Sequence, residues 1–213
     1  MTLKNQRPAI IEQGGALTAA VKTYRGGGVI AYPTETLYGL GVDPFNADAV
    51  KKLFTLKGRN EDKPVSVIIK DTAMLKKVAV EITPAAWILL RRFWPGPLTI
   101  IFKATAYVPH GLTAGTGTIG VRISDNPLTQ ALLEKIGSPI TATSANPSGG
   151  PPPKSVKEVL GYFDGNIDIV IDGGTLPQGA PSTVVDATSN EIKIVREGAI
   201  PSSVISQCLK DAL

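Results

Sequence analysis

The chain has 213 residues, 43% hydrophobic and 19% charged, a balance that suits an ordinary folded domain and excludes a disordered chain. With 22 Lys and Arg against 18 Asp and Glu the formal charge is +4, which favours an anionic partner and leaves nucleotide and RNA both open. One cysteine, Cys208, and one histidine, His110, exclude a disulfide framework, Cys- or His-clustered metal sites and Ser-His or Cys-His machinery unless His110 itself serves, and no apolar run reaches the roughly 20 residues that cross a bilayer. A single cytoplasmic α/β domain is the expectation, with no membrane partner.

Leu17, Ala20, Val21 and Tyr24 recur at helical spacing and predict an amphipathic helix stopped by Gly26, Gly27 and Gly28. The glycines precede the next strand, so they are no dinucleotide fingerprint. Val29–Tyr32 reads as a buried strand. Pro33 cannot donate to a ladder, so pairing is expected to stop there and Thr34, Glu35 and Thr36 to present oxygens beyond a strand end, where open α/β sheets hold ligands. Gly39 and Gly41 are expected to close that binding loop by positive φ or by close approach. Asn46 or Asp48 caps a helix through Ala49, Val50, Leu53 and Phe54, which delivers Lys57, Gly58 and Arg59 to a loop.

Val65–Ile69, broken only by Ser66, predicts an inner strand, and a helix starts near Asp71. Pro84 opens a helix carrying Trp87, Leu90 and Phe93, with both tryptophans expected in the core; Trp94–Pro97 ends it before a strand at Leu98–Phe102. A loop over Gly111–Gly117 leads to a strand at Ile119–Ile123 that holds Arg122, and Pro127 begins another helix. After a strand at Ile140–Thr143, the run Ser144–Pro153 is rich in turn formers; an ordered clamp is preferred over a flexible linker. A helix at Ser155–Leu160, strands at Ile167–Ile171, Thr183–Asp186 and Ile192–Arg196, and a helix at Pro201–Leu209 complete the chain.

Lys57, Arg59 and Lys63 place three cations near one loop, which suits a polyphosphate as well as solvated surface. Ser144 and Asn146 add neutral donors at a strand end. The glycine, lysine and hydroxyl pattern of a P-loop is absent, and no covalent nucleophile is evident.

Taken in order, Tyr32–Gly41, Lys57-Gly-Arg59, Lys63-Pro64, Trp94–Thr99, Val121-Arg122, Thr143–Gly149, Pro181–Asp186 and Val195–Gly198 resemble the YrdC-like threonylcarbamoyl-AMP synthases over about residues 17–198. The resemblance implies a twisted mixed sheet flanked by helices, in the short single-domain form without an extra C-terminal domain. It implies formation of threonylcarbamoyl-AMP and pyrophosphate from ATP, L-threonine and bicarbonate, with Mg2+ arriving on ATP and no protein side chain binding metal. Lys57, Arg59, Ser144 and Asn146 match the family's Lys-x-Arg and Ser-x-Asn pairs and become the expected catalytic set. Arg59, Lys63, Thr118, Ser144, Pro152, Ser182 and Arg196 are expected at ATP, and Thr36, Ile68, Arg122 and Ala142 at threonine. Two departures stand out: Asn60 where many relatives have proline, and Ile68 where longer relatives tend to carry histidine. The implied partners are tRNA and the proteins that pass the threonylcarbamoyl group to the adenosine beside the anticodon. The alternative is an RNA-binding module that uses a basic concave face without catalysis; its weak point is the 6% aromatic content, which gives no stacking platform.

Overall fold

The computed structural model describes residues 8–11, 17–58, 63–163, 165–177 and 179–212. Among them are ten strands and eight helices. A short strand β1 (Ala9–Ile11) precedes helix α1 (Thr18–Arg25), which buries Ala20, Val21 and Tyr24. Next come β2 (Ile30–Pro33), β3 (Tyr38–Gly41) and α2 (Ala47–Lys57). Asn46 caps α2 by accepting from Ala49 N–H, and Gly58 ends it at φ 56°. Then follow β4 (Ser66–Ile68), α3 (Thr72–Leu75), α4 (Pro84–Phe93), β5 (Leu98–Lys103), α5 (His110–Thr113), β6 (Thr118–Arg122) and α6 (Pro127–Ile136). The last elements are β7 (Ile140–Ser144), α7 (Val156–Phe163), β8 (Ile169–Ile171), β9 (Thr183–Asp186), β10 (Lys193–Arg196) and α8 (Ser202–Lys210). No helix of the described residues is long and apolar enough to cross a membrane.

All ten strands form one mixed sheet in the order β1-β8-β2-β3-β7-β4-β6-β5-β9-β10. Pairs β1–β8, β2–β8, β4–β6 and β5–β9 are parallel, and the other five are antiparallel. Successive strand residues face opposite sides, so the sheet separates two cores. Ala31, Val67, Ile100 and Val121 pack with α2, α4, α5, α7 and α8 on one face. On the other face Ile30, Tyr32, Ile68 and Ile140 pack with α1 and α6. Those two helices cover only part of their face, and the rest holds Ser66 of β4, Thr99 of β5, Arg122 of β6 and Arg196 of β10, with Val184 of β9 among them.

Four expectations change. Pairing does not stop at Pro33: it faces Tyr38, and the chain returns at once as β3, antiparallel to β2. Gly39 and Gly41 therefore lie in a strand, where close packing selects them. A Cβ on Gly41 would fall 2.3 Å from Ile140 Cδ1 and 2.8 Å from the Tyr32 ring. Trp87 is 37% exposed, with Arg91 5.6 Å above its ring, whereas Trp94 packs against the core and donates its indole N–H to Leu98 O. The stretch after Pro109 begins with the single-turn helix α5 before its glycine turn.

Candidate active site

The uncovered part of the sheet is the floor of a depression of about 380 Å3. Its first wall is the turn between β2 and β3. Thr34 Oγ1 donates to Leu37 O at 2.7 Å and accepts the N–H groups of Thr36 and Leu37 at 3.2 Å, which folds the turn locally. The Thr36 hydroxyl lies 3.0 Å from that of Thr34. The oxygen of Thr36 then accepts from Arg122 Nη1 at 3.3 Å and retains one lone pair for a ligand N–H.

Arg122 closes β6, and its side chain is only 8% exposed. Its Nη1 also donates to Glu35 Oε1 at 2.8 Å, while Glu35 Oε2 accepts the buried Ser124 hydroxyl. Among the described residues the Nε and Nη2 edge of Arg122 makes no hydrogen bond. That edge is a planar two-pronged donor, the geometry that suits a carboxylate.

The opposite wall comes from β5, β9 and β10. Thr99 Oγ1 lies 2.9 Å from Ser182 Oγ, and Arg196 Nη2 donates to Ser182 O at 2.8 Å and to its Oγ at 3.3 Å. Gly198 permits this: a Cβ there would stand 2.2 Å from Pro181 O. Burial, followed by the positive charge of Arg122, lowers the pKa of Arg196. Two guanidinium groups therefore act on each other across one depression, an arrangement that a bound anion relieves.

The third wall is the loop after β7. Tyr38 N–H donates to Pro153 O at 3.0 Å and Ala145 N–H to Tyr38 O at 2.8 Å, which joins the loop to β3. Lys57, only 3% exposed, aims its ammonium at Ser144 O (2.5 Å) and Asn146 O (2.7 Å). Asn146 Nδ2 donates to Pro147 O and Gly150 O, both at 2.7 Å, and its buried Oδ1 has no partner among the described residues. These bonds make an ordered wall and overturn the linker alternative.

The expected site residues separate accordingly. Thr36, Arg122, Ala142, Ser144, Pro152, Ser182 and Arg196 all line the depression. Ile68 does not: its side chain is fully buried in the core under α1 and α6. Thr118 starts β6 four positions before Arg122, roughly 13 Å along the strand, and its hydroxyl pairs with Thr116 at 2.9 Å. Lys63 is exposed next to the lining residue Pro64, and Lys57 points inward to the loop carbonyls instead of outward from a basic loop. Arg59 and Asn60 lie outside the described residues. Ser66 and Thr99, absent from the expected set, also line the depression. Each is a hydroxyl in an otherwise apolar strand, a signal available from period-2 alternation. Among the described residues no group of three or more His, Cys, Asp or Glu side chains could hold a metal ion.

The family model described as "Telomere recombination", for Sua5, YciO and YrdC proteins, matches residues 22–198. The threonylcarbamoyl-AMP synthase of Pyrococcus abyssi is 40% identical over 185 residues, covering 87% of this chain and 54% of its own, so the chain spans about half the length of that relative. The synthase of Coxiella burnetii is 38% identical over 177 residues, covering 83% of this chain and 95% of its own. The crystal structure of P. abyssi Sua5 complexed with L-threonine superposes with a TM-score of 0.90 at 36% identity, covering 95% of this chain and 61% of that one. Since the matched span runs from α1 to just beyond β10 and so takes in every wall of the depression, the chain belongs to the Sua5, YciO and YrdC family.

Proposed function

We propose that the chain forms threonylcarbamoyl-AMP from L-threonine, bicarbonate and MgATP, releasing pyrophosphate. The observation that carries this reading is the pairing of a carboxylate fork, Arg122, with a hydroxyl acceptor, Thr36, 3.3 Å away in the same depression as a second guanidinium. An α-amino acid places its carboxylate on the Arg122 edge and its amine on Thr36 Oγ1. The names of the relatives and the L-threonine in P. abyssi Sua5 support threonine as that amino acid.

The nucleotide lies toward Arg196, Ser182 and Ser144, with Pro152 framing it and Lys63 near the polyphosphate, to which the family's Lys-x-Arg pair also assigns Arg59. Thr118, on the same face of β6 as Arg122, stays an expected nucleotide contact, whereas the Ile68 side chain takes no direct part. The threonine amine and bicarbonate condense to a carbamate with loss of water, and a carbamate oxygen attacks the α-phosphorus of ATP as the bond to pyrophosphate breaks. No protein nucleophile is needed, because positioning and charge stabilisation supply the rate enhancement. Lys57 and Asn146 act by holding the loop that presents Ser144. The magnesium ion arrives with ATP as part of the substrate. The product then supplies threonylcarbamoyl transfer to tRNA by partner proteins.

The test is pyrophosphate release by purified protein, which is expected only when L-threonine and bicarbonate are both present. Equal release without threonine overturns the reading.

A further inference from the structure

The two guanidinium groups of the depression differ in what stands behind them. Arg122 has a carboxylate against it, Glu35 Oε1 at 2.8 Å, itself fixed through Oε2 by Ser124. Among the described residues Arg196 meets only the neutral oxygens of Ser182, at 2.8 and 3.3 Å. A guanidinium paired to a carboxylate keeps N–H donors for a planar monocarboxylate yet attracts a polyanion weakly. An uncompensated guanidinium draws the more highly charged ligand. Both Glu35 oxygens are engaged, and Glu35 is not part of the lining, so it acts through Arg122 and does not touch the ligand.

We propose that Glu35 sorts the two anions of the site: by neutralising Arg122 it reserves that end of the depression for a monocarboxylate and directs polyphosphate to Arg196. This makes Glu35 a positioning and specificity residue, with discrimination achieved by discouraging the wrong ligand as well as by attracting the right one. The proposal deepens the amino-acid and nucleotide reading given above and rests on it.

Calorimetric titrations with inorganic tripolyphosphate and L-threonine test it. In the parent the two ligands are expected to bind together, and mutual displacement there overturns the proposal without any variant. Glu35→Gln keeps side-chain size and an acceptor for Arg122 but removes the charge. It is expected to bind tripolyphosphate about five- to tenfold more tightly, with a steeper salt dependence, and tripolyphosphate should now displace L-threonine. Glu35→Asp retains the charge and is expected to keep the parent's tripolyphosphate affinity. A folded Glu35→Gln protein with parental tripolyphosphate affinity overturns the proposal, as does a Glu35→Asp variant that matches Glu35→Gln. A parent that binds no L-threonine instead overturns the amino-acid reading, and the tripolyphosphate gain in Glu35→Gln then decides the role of Glu35 by itself.

Discussion

Thr36 shows how much chemistry can follow from one hydroxyl. Its hydroxyl lies 3.0 Å from that of Thr34 and accepts from Arg122, and toward a ligand it offers a remaining lone pair. The N–H of an amine fits that lone pair. Thr36→Val keeps shape and branching while deleting the hydroxyl. The expected outcome is a Michaelis constant for threonine raised on the order of tenfold, with stability reduced by about 1–2 kcal/mol for the lost buried hydrogen bonds. Steady-state kinetics with thermal melts check this, and an unchanged Michaelis constant for threonine removes Thr36 from the amino-acid subsite.

At the scale of elements, α2 and the loop after β7 are joined by one buried ammonium. Lys57→Met preserves length and apolar stem but leaves Ser144 O and Asn146 O without that donor, so unfolding free energy is expected to fall by about 2–4 kcal/mol. A solvated surface lysine would change it by less than about 0.5 kcal/mol. Denaturant titration separates the two. The sequence could not announce this contact: its partners are 87 and 89 positions away, and the local pattern of a lysine before a glycine reads equally as an exposed helix end. By contrast α2, α4 and α6 were legible because cap residues, N-terminal prolines and helical spacing are local signals. Strand β3 was hidden because its glycines carry no alternation; they are set by the Tyr32 ring and Ile140, contacts that only the folded sheet creates. Strand β1, three residues long, is too short for periodicity to reveal. Of the site, the hydroxyl turn and both arginines could be read from strand ends, whereas the way Glu35 divides them depends on a contact between β6 and a distant turn.

Across the whole molecule, buried phenols bind the sheet to its surroundings. Tyr24, Tyr32 and Tyr38 donate to Pro139 O, Thr141 O and Gly174 O at 2.7, 2.8 and 2.8 Å. Burial pushes the Tyr38 phenol up to about 12 and raises Tyr24 and Tyr32 as well. In the unfolded chain these groups ionise near 10. Their folded values are raised, so the unfolded state loses protons first as pH rises, and stability falls with increasing pH. Their contribution is fully present below about pH 10 and declines through pH 12. Phenolate absorbance and circular dichroism followed together are expected to show these three tyrosines ionising in step with unfolding. Their ionisation in protein that keeps its native dichroism counts against the burial account.

Strand β7 belongs to both halves of the sheet: Ile140–Ala142 pair with β4, while Thr143 and Ser144 pair with β3. Thr36 and Glu35 stand on one side of this seam and Arg122 on the other, joined at 3.3 and 2.8 Å. The bonds that prepare the site for its ligand are thus also a clasp between two leaves. A ligand that draws on Arg122 therefore pulls on the same bonds that tie the two leaves together across β7.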